Sequence, residues 1–369
     1  MTEPAAPDPV PLYVDLDGTL VHTDVSIEQA FALVKRHLSH VLLLPLWLLR
    51  GRAYLKRRIA ADAALDPAAL PYEPAVLEYL AAEKRRGRRL VLATAADVGF
   101  ARQVADHLGL FDAVIGSDGG DDLAGATKLA RIAADAPDGV FDYAGDDLPD
   151  LVIFRHARRA LVINPAPALR GPARRLENVA WTLDTGARHV SAYVLGLRPW
   201  RWLWALLVWL PLLVAPVGTE RIAGDGIAVL VAFVALASGC HLFDDLVNLG
   251  ARRALPRRCQ APLVRDELPL SRAAAGILLC FVVALAALAV LPAAVGLVAL
   301  AHLALAVAAA VWLDDSRGGL IVAAGGLGAT RVAAGALAVG LPVDMPLLAI
   351  GAAVGVALEL LRRCRDGPV

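Results

Sequence analysis

Lysine is scarce in this chain: it occurs only at Lys35, Lys56, Lys84 and Lys128 among 36 basic residues, so arginine carries most of the positive charge. Each remaining lysine therefore poses a chemical question. The four cysteines, Cys240, Cys259, Cys280 and Cys364, form no C-x-x-C pair and have no histidine at zinc spacing. That excludes a disulfide framework or thiolate metal site and leaves free thiols. Formal net charge is zero, so bulk electrostatics point to no nucleic-acid partner. The opening "MTEPAAPDPV" lacks the basic and apolar regions of a secretory signal; residues 1–10 are expected to be disordered and the domain after them to stay in the cytoplasm. Short internal repeats are also absent. Apolar residues, in contrast, are abundant. A hydrophobic content of 58% with mean hydropathy +0.58 is too apolar for an ordinary soluble protein, so part of the chain is expected in a membrane.

Up to about Ile163, short apolar runs alternate with helical stretches. Residues 12–14, 90–93, 113–115, 141–144 and 160–163 read as buried parallel strands of a doubly wound α/β sheet. Such a sheet places its chemistry at the carboxyl ends of its strands. The first two strands are separated by far more chain than a simple crossover needs, so residues 22–86 are expected to form an inserted helical cap. Within it, "VLLLPLWLL" is apolar but much shorter than the ~20 residues of a bilayer span. It reads first as a buried cap helix, and second as a surface that docks on a membrane.

The Pro-, Gly- and Arg-rich stretch within residues 165–197 reads as a linker. Beyond it, residues 198–369 read as an all-α membrane bundle. Six candidate spans follow one another at residues 202–217, 227–243, two within 273–313, 318–343 and 345–361, with a turn at Leu291 and Pro292. Arginines between spans two and three, and again after span six, place those segments and both chain ends in the cytoplasm by the positive-inside rule. Trp200, Trp202, Trp204 and Trp209 fit an interfacial anchor.

The first chemical constellation begins at "YVDLDGTL", with Asp15 and Asp17 directly after a strand. Alone, D-x-D-G at a strand end is often only a turn. Three further features sit at or beyond strand ends or in the segments that follow them: Thr94 in "LVLATAA", Lys128 in "GATKLARI", and Asp146 and Asp150 in "FDYAGDDLPD". Together they suggest phosphoryl transfer: a carboxylate nucleophile, a neighbouring acid/base, cations for phosphoryl oxygens and acids for a hard metal ion. Asp147 reads as a solvated loop acid. From about Leu12 to Asn164 the chain resembles the haloacid dehalogenase superfamily, in particular its Mg²⁺-dependent phosphatases with a helical cap. The resemblance implies a Rossmann-like domain over residues 11–164, with Asp15 as the nucleophile that becomes an aspartyl-phosphate and Asp17 as general acid and then base. It further implies Thr94 and Lys128 on the phosphoryl group, and Asp15, Asp17, Asp146 and Asp150 as the Mg²⁺ site.

The second constellation lies in "HLFDDLVNLGARRALPRR". The membrane half resembles the UbiA superfamily of intramembrane prenyltransferases, above all the branch that moves phosphoribose onto polyprenyl phosphate. The order of domains matches that branch better than the motifs do. Where the family has N-D-x-x-D-x-x-x-D, this chain has Asp244, Asp245, Asn248 and Arg252, so only Asp245 is an expected acid. Of the family's basic segment Arg258 remains, and in the fifth span Arg331 remains while Leu320 replaces an acid. The family's further spans and second acidic motif are not found before Val369. These residues read as a degenerate lipid-phosphate site. His302 reads as a packing residue.

The leading expectation is a membrane-embedded phosphatase in a bacterial inner membrane, facing the cytoplasm. Its substrate would be a phosphorylated small molecule or a lipid-linked phosphate such as a polyprenyl sugar phosphate. Two alternatives stand beside it: a polyprenyl or phosphoribosyl transferase, completed by a partner chain that supplies the missing helices, and a non-catalytic membrane scaffold.

Overall fold

A computed structural model describes residues 9–366 apart from 64, 119, 121, 186–189, 215–221, 255–260, 266 and 314–315. The chain divides into two compact units, Met1–Ala187 and Arg188–Val369.

The first unit is built on a six-stranded sheet in the order β3-β2-β1-β4-β5-β6, with every pairing parallel. Its strands are β1 (Leu12–Val14), β2 (Leu90–Asp97), β3 (Ala113–Ser117), β4 (Asp142–Gly145), β5 (Ala160–Ile163) and β6 (Val179–Leu183). The central strands are near-continuous apolar runs because helices cover both faces. Leu12, Val14, Leu90 and Leu92 enter one core, while Tyr13, Val91 and Ala93 enter the other. The five predicted strands are all present. The sixth was not anticipated: β6 and the helix before it lie in the stretch read as linker. As an edge strand β6 is only partly buried, so its apolar pattern is weak and the surrounding Pro, Gly and Arg outweigh it.

Four helices fill the insertion between β1 and β2: α1 (Val25–Arg36), α2 (His40–Leu48), α3 (Arg52–Asp62) and α4 (Pro74–Arg85). Asp24 caps α1 by accepting the Ile27 N–H at 3.0 Å, and Pro74 opens α4 where its missing N–H costs nothing. The expectation of a buried α2 is corrected. Only Trp47 of this helix is buried, against Leu33 and Ile59, while Val41, Leu42, Leu46 and Leu48 are exposed. A helix that is apolar on every side cannot bury all of itself against the two cap helices α1 and α3. After β2 come α5 (Val98–Leu108), α6 (Ala126–Asp135), α7 (Leu151–His156) and α8 (Pro167–Ala173).

The strand entrances on the sheet's other edge are tied by ions. Arg88, with 2% of its side chain exposed, binds Glu83 at 2.9 Å and also Asp142, which Arg158 holds at 2.6 Å. Arg88→Met would leave Glu83 with the exposed Arg86 at 2.6 Å as its remaining cation and Asp142 with one cation instead of two. A loss of about 3 kcal/mol is expected, seen as faster hydrogen exchange in β1 and β4; unchanged exchange would count against it.

Among the described residues of the second unit, four helices are long and apolar enough to cross a membrane: Gly224–Val247, Leu270–Leu288, Ala293–Trp312 and Gly318–Ala338. Met345–Leu361 is a shorter apolar helix. About six spans were expected. In the first of these the described residues form a contiguous run of short helical segments, Trp202–Ala205, Leu206–Trp209 and Leu210–Val214, the middle one a 3₁₀ helix, and residues 215–217 lie outside the described residues. The turn expected at Leu291 and Pro292 is present, with Pro292 preceding Ala293–Trp312. The last two helices pack backbone to backbone: a Cβ on Gly328 would run into the Gly351 carbonyl, and one on Gly355 into that of Ala324. Small residues permit such approach where lipid supplies no hydrophobic drive between helices.

Candidate active site

Asp15 follows β1 directly. Its backbone N–H donates to the Ala144 carbonyl at 2.9 Å, locking the residue beside β4, and its carboxylate accepts the Leu16 N–H at 2.8 Å. Lys128, in the first turn of α6, lies 2.9 Å from Asp15 Oδ2 and 3.6 Å from Asp150 Oδ1. It is 2% exposed, so it is not a solvated helix lysine. Burial alone would lower its pKa, but Asp15 and Asp150 reverse that and hold the ammonium above its ordinary value. Burial pushes the Asp15 carboxyl up to about 6, partly offset by Lys128.

Asp17 lies two residues on and accepts the Val25 N–H at 2.8 Å, which joins the loop to the start of α1. Burial first, then the charges of Asp24 and Asp15, raises its carboxyl well above the usual range. A carboxyl that keeps its proton suits a general acid. Between Asp17 and the next turn, Gly18 has φ 75°, and a Cβ there would overlap the Asp146 carboxylate. The loop can therefore close on Asp146 only with glycine.

Asp146 follows β4 and accepts a hydrogen bond from the Thr19 hydroxyl at 3.3 Å. Asp150 is held from several sides: the Tyr143 hydroxyl donates to Oδ1 at 2.7 Å, and the amides of Asp146 and Asp147 donate to Oδ2 at 3.3 Å each. With its oxygens so occupied, Asp150 positions the loop that carries Asp146. Asp147 is exposed and caps the turn through Leu148 N–H at 2.7 Å, in keeping with a loop acid.

Carboxylate oxygens of Asp15, Asp146 and Asp150 all lie within 4.8 Å of one another. Hard oxygen donors at this separation, next to the glycine cradle at Gly18, fit a divalent cation. Thr94 is fully buried in β2, and its hydroxyl oxygen accepts the Ala96 N–H at 3.0 Å. The pairing of Val14 with Leu92 carries Thr94 forward alongside the residues just past β1.

Two contributors were not read from the sequence. Tyr143 orients Asp150 and lies beneath Lys128, whose Nζ is 5.3 Å from the ring centroid; nothing local distinguishes it from a core tyrosine. Lys56, from α3 of the cap, donates to the Ala95 carbonyl at 2.8 Å and to Asp122 at 2.7 Å. The scarcity of lysine was the available signal for it.

In the second unit the motif residues come together differently from a metal site. Arg252 pairs with Asp244 at 2.7 Å and with Asp245, and Arg198, not foreseen, also pairs with Asp245. Asn248 donates to Asp244 at 2.9 Å and to the Ala310 carbonyl at 3.0 Å. Asp244, Arg252 and Arg331 line a cavity of about 140 Å³ together with Arg201 and His241, whereas Asp245 and Asn248 are not among its lining residues. Arg331 is buried, and its Nε has no hydrogen-bond partner among the described residues. Arg258 lies outside the described residues. His302 bonds Thr330 at 2.7 Å and packs edge-on to Phe233, as a packing residue would.

Comparison with known proteins agrees with the first unit's geometry. Residues 12–153 match the family profile of haloacid dehalogenase-like hydrolases, to which this part of the chain is similar. A curated relative, the uncharacterized protein y4nM of Sinorhizobium fredii, is 33% identical over 253 residues, which are 66% of this chain and 48% of the relative. The match thus spans about half of that protein's length. Among solved structures, a protein of unknown function from Bordetella pertussis is 17% identical, covering 48% of this chain and 98% of its own, with a TM-score of 0.39. A probable phosphoserine phosphatase from Vibrio cholerae is 16% identical, covering 48% and 61%, with a TM-score of 0.36.

Proposed function

We propose that residues 11–183, including the sixth strand, form a Mg²⁺-dependent phosphatase domain working through an aspartyl-phosphate, and that residues 198–369 hold it at a membrane. The reading is carried by one observation: a buried lysine and three carboxylates converge where β1 and β4 end. Asp15 Oδ attacks phosphorus as the bond to the leaving oxygen breaks, and Asp17 gives that oxygen its proton. Water then attacks the aspartyl-phosphate, Asp17 takes the water's proton, and phosphate leaves with Asp15 restored. Lys128 offsets charge on Asp15 and the phosphoryl oxygens, and Thr94 is assigned to bind one of those oxygens. A Mg²⁺ held by Asp15, Asp146 and the Asp17 carbonyl, with Asp150 supporting the site, would screen repulsion between the carboxylate and the phosphate. The test is phosphate release by the full chain from p-nitrophenyl phosphate and from a polyprenyl sugar phosphate, with and without Mg²⁺. Release that ignores removal of Mg²⁺ would overturn the reading.

Metal and pH are linked in a definite direction. The folded pKa of Asp15 is raised to about 6 from an ordinary 3.8, so its stabilising share is complete below pH 3.8 and is lost as pH rises through about 6. A bound divalent cation favours the ionised form and removes that loss. Mg²⁺ is therefore expected to raise the Tm of the first unit more at pH 7.5 than at pH 4.5; an equal rise at both would argue against a carboxylate site that includes Asp15.

The lipid-linked substrate is supported by the membrane-length helices and by the cavity lined by Arg201, Arg252 and Arg331. Arginine placement favours the phosphatase on the cytoplasmic side of a bacterial inner membrane. The UbiA-like transferase reading, alone or with a partner chain, has weaker support. Asp244 and Asp245 are already neutralised by Arg252 and Arg198, which leaves little charge for a metal and diphosphate.

A further inference from the structure

We propose that α2 of the cap is a membrane-interface element that inserts into an anionic bilayer surface, independently of any substrate in the active site. Trp47, Leu43 and Leu44 pack into the cap, but the apolar side chains on the other side of this helix do not serve the fold. Leu42 is 75% exposed, Leu46 56% and Leu49, just past its end, 84%. Val41, Pro45 and Leu48 are exposed as well. At 100° per residue these six positions fall within an arc of about 160° centred opposite Trp47, which is the one buried residue of the helix. One side of α2 thus holds the cap together and the other presents a continuous apolar face. A face of this kind on a folded domain marks a binding surface.

The charge around it selects the occupant. From Gln29 to Ala61 there is no acidic residue, while Lys35, Arg36, Arg50, Arg52, Lys56, Arg57 and Arg58 supply seven cations. Arg36, Arg50, Arg52, Arg57 and Arg58 are exposed. Arg58 sits over the Trp47 ring at 5.1 Å, on the side of α2 that faces the cap, and Arg50, next to Leu49, donates to the Tyr54 hydroxyl of α3 at 3.1 Å. Leucines flanked by exposed arginines, with Asp62 at 3.9 Å from Arg58 at the edge of the patch, match the acyl boundary and phosphate layer of an anionic leaflet. A second copy of the same face would bring like charges together. The covalent link to helices of membrane-spanning length keeps the local concentration of bilayer high, so even a short apolar helix can engage it.

The test uses the full chain in nanodiscs of phosphatidylglycerol with phosphatidylcholine, or of phosphatidylcholine alone. The four cysteines are replaced by serine and an environment-sensitive fluorophore is attached at Leu42→Cys, Leu49→Cys or, as control, the exposed Arg131→Cys on α6. Doxyl-labelled lipids are expected to quench positions 42 and 49 at least threefold more than 131, and more strongly with phosphatidylglycerol. Leu42→Glu with Leu46→Glu, both at exposed sites that the fold does not need, should abolish quenching at 49. Equal quenching at all three positions would overturn the proposal. So would a shielded probe at 42 that lipid does not quench, which would indicate a second copy or a protein partner.

Discussion

Asp15→Asn is expected to lower phosphate release by at least roughly 10³-fold, because an amide oxygen is a poor nucleophile and cannot form the acyl-phosphate. The fold should survive. The side-chain carbonyl of the substituted amide can still accept the Leu16 N–H, and burial already favours the neutral form of the native carboxyl, pushed up to about 6. Removing the charge relieves that burial cost but takes from Lys128 its counter-charge at 2.9 Å, leaving Asp150 at 3.6 Å, so the Tm of the metal-free variant should stay close to that of the native protein. Turnover and Tm together separate loss of the nucleophile from loss of the fold. Undiminished Mg²⁺-dependent release from this variant would refute the assignment of the active site.

Lys128→Met is expected to cost on the order of 10²-fold or more in kcat, the typical loss when one preorganised donor to a developing charge is removed. Methionine can fill the buried volume of the lysine stem, but nothing then offsets Asp15 and Asp150, which the ammonium reaches at 2.9 and 3.6 Å. The consequence for the metal has the opposite sign. Without the competing cation, the carboxylates should bind Mg²⁺ at least as tightly as before, as read by calorimetric titration. A fall in kcat with retained metal affinity would match Lys128 acting on the phosphoryl group. A parallel loss of both would mean that the residue mainly holds the site together.

Much of the first unit was legible because its signals are local. Five strands were visible as short apolar runs, and Asp15, Asp17, Lys128, Asp146 and Asp150 stood out because carboxylates and a rare lysine recur at strand ends and helix starts. Edge strand β6 was missed because a half-buried strand carries half the apolar pattern. The face of α2 was misjudged for a related reason: apolarity shows that a segment avoids water, not whether protein or lipid takes the water's place. In the second unit, Asp244, Asp245, Asn248 and Arg252 could be picked out as a group. Their state could not, since Arg198, which pairs with Asp245, stands 47 positions away in the chain.

The sequence by itself determined the two kinds of environment along this chain, the α/β pattern of the first unit and the residue types available for phosphoryl chemistry. Composition and periodicity are properties of neighbours in the chain, so they need no knowledge of contacts. Only the tertiary structure decided that Lys128 is buried against Asp15 and Asp150, that Tyr143 and two backbone amides occupy Asp150, and that the acids of the second unit are closed off by arginines. Those facts depend on residues far apart in the chain meeting at short range. Charge, protonation and ligand capacity are set by what each carboxylate meets there.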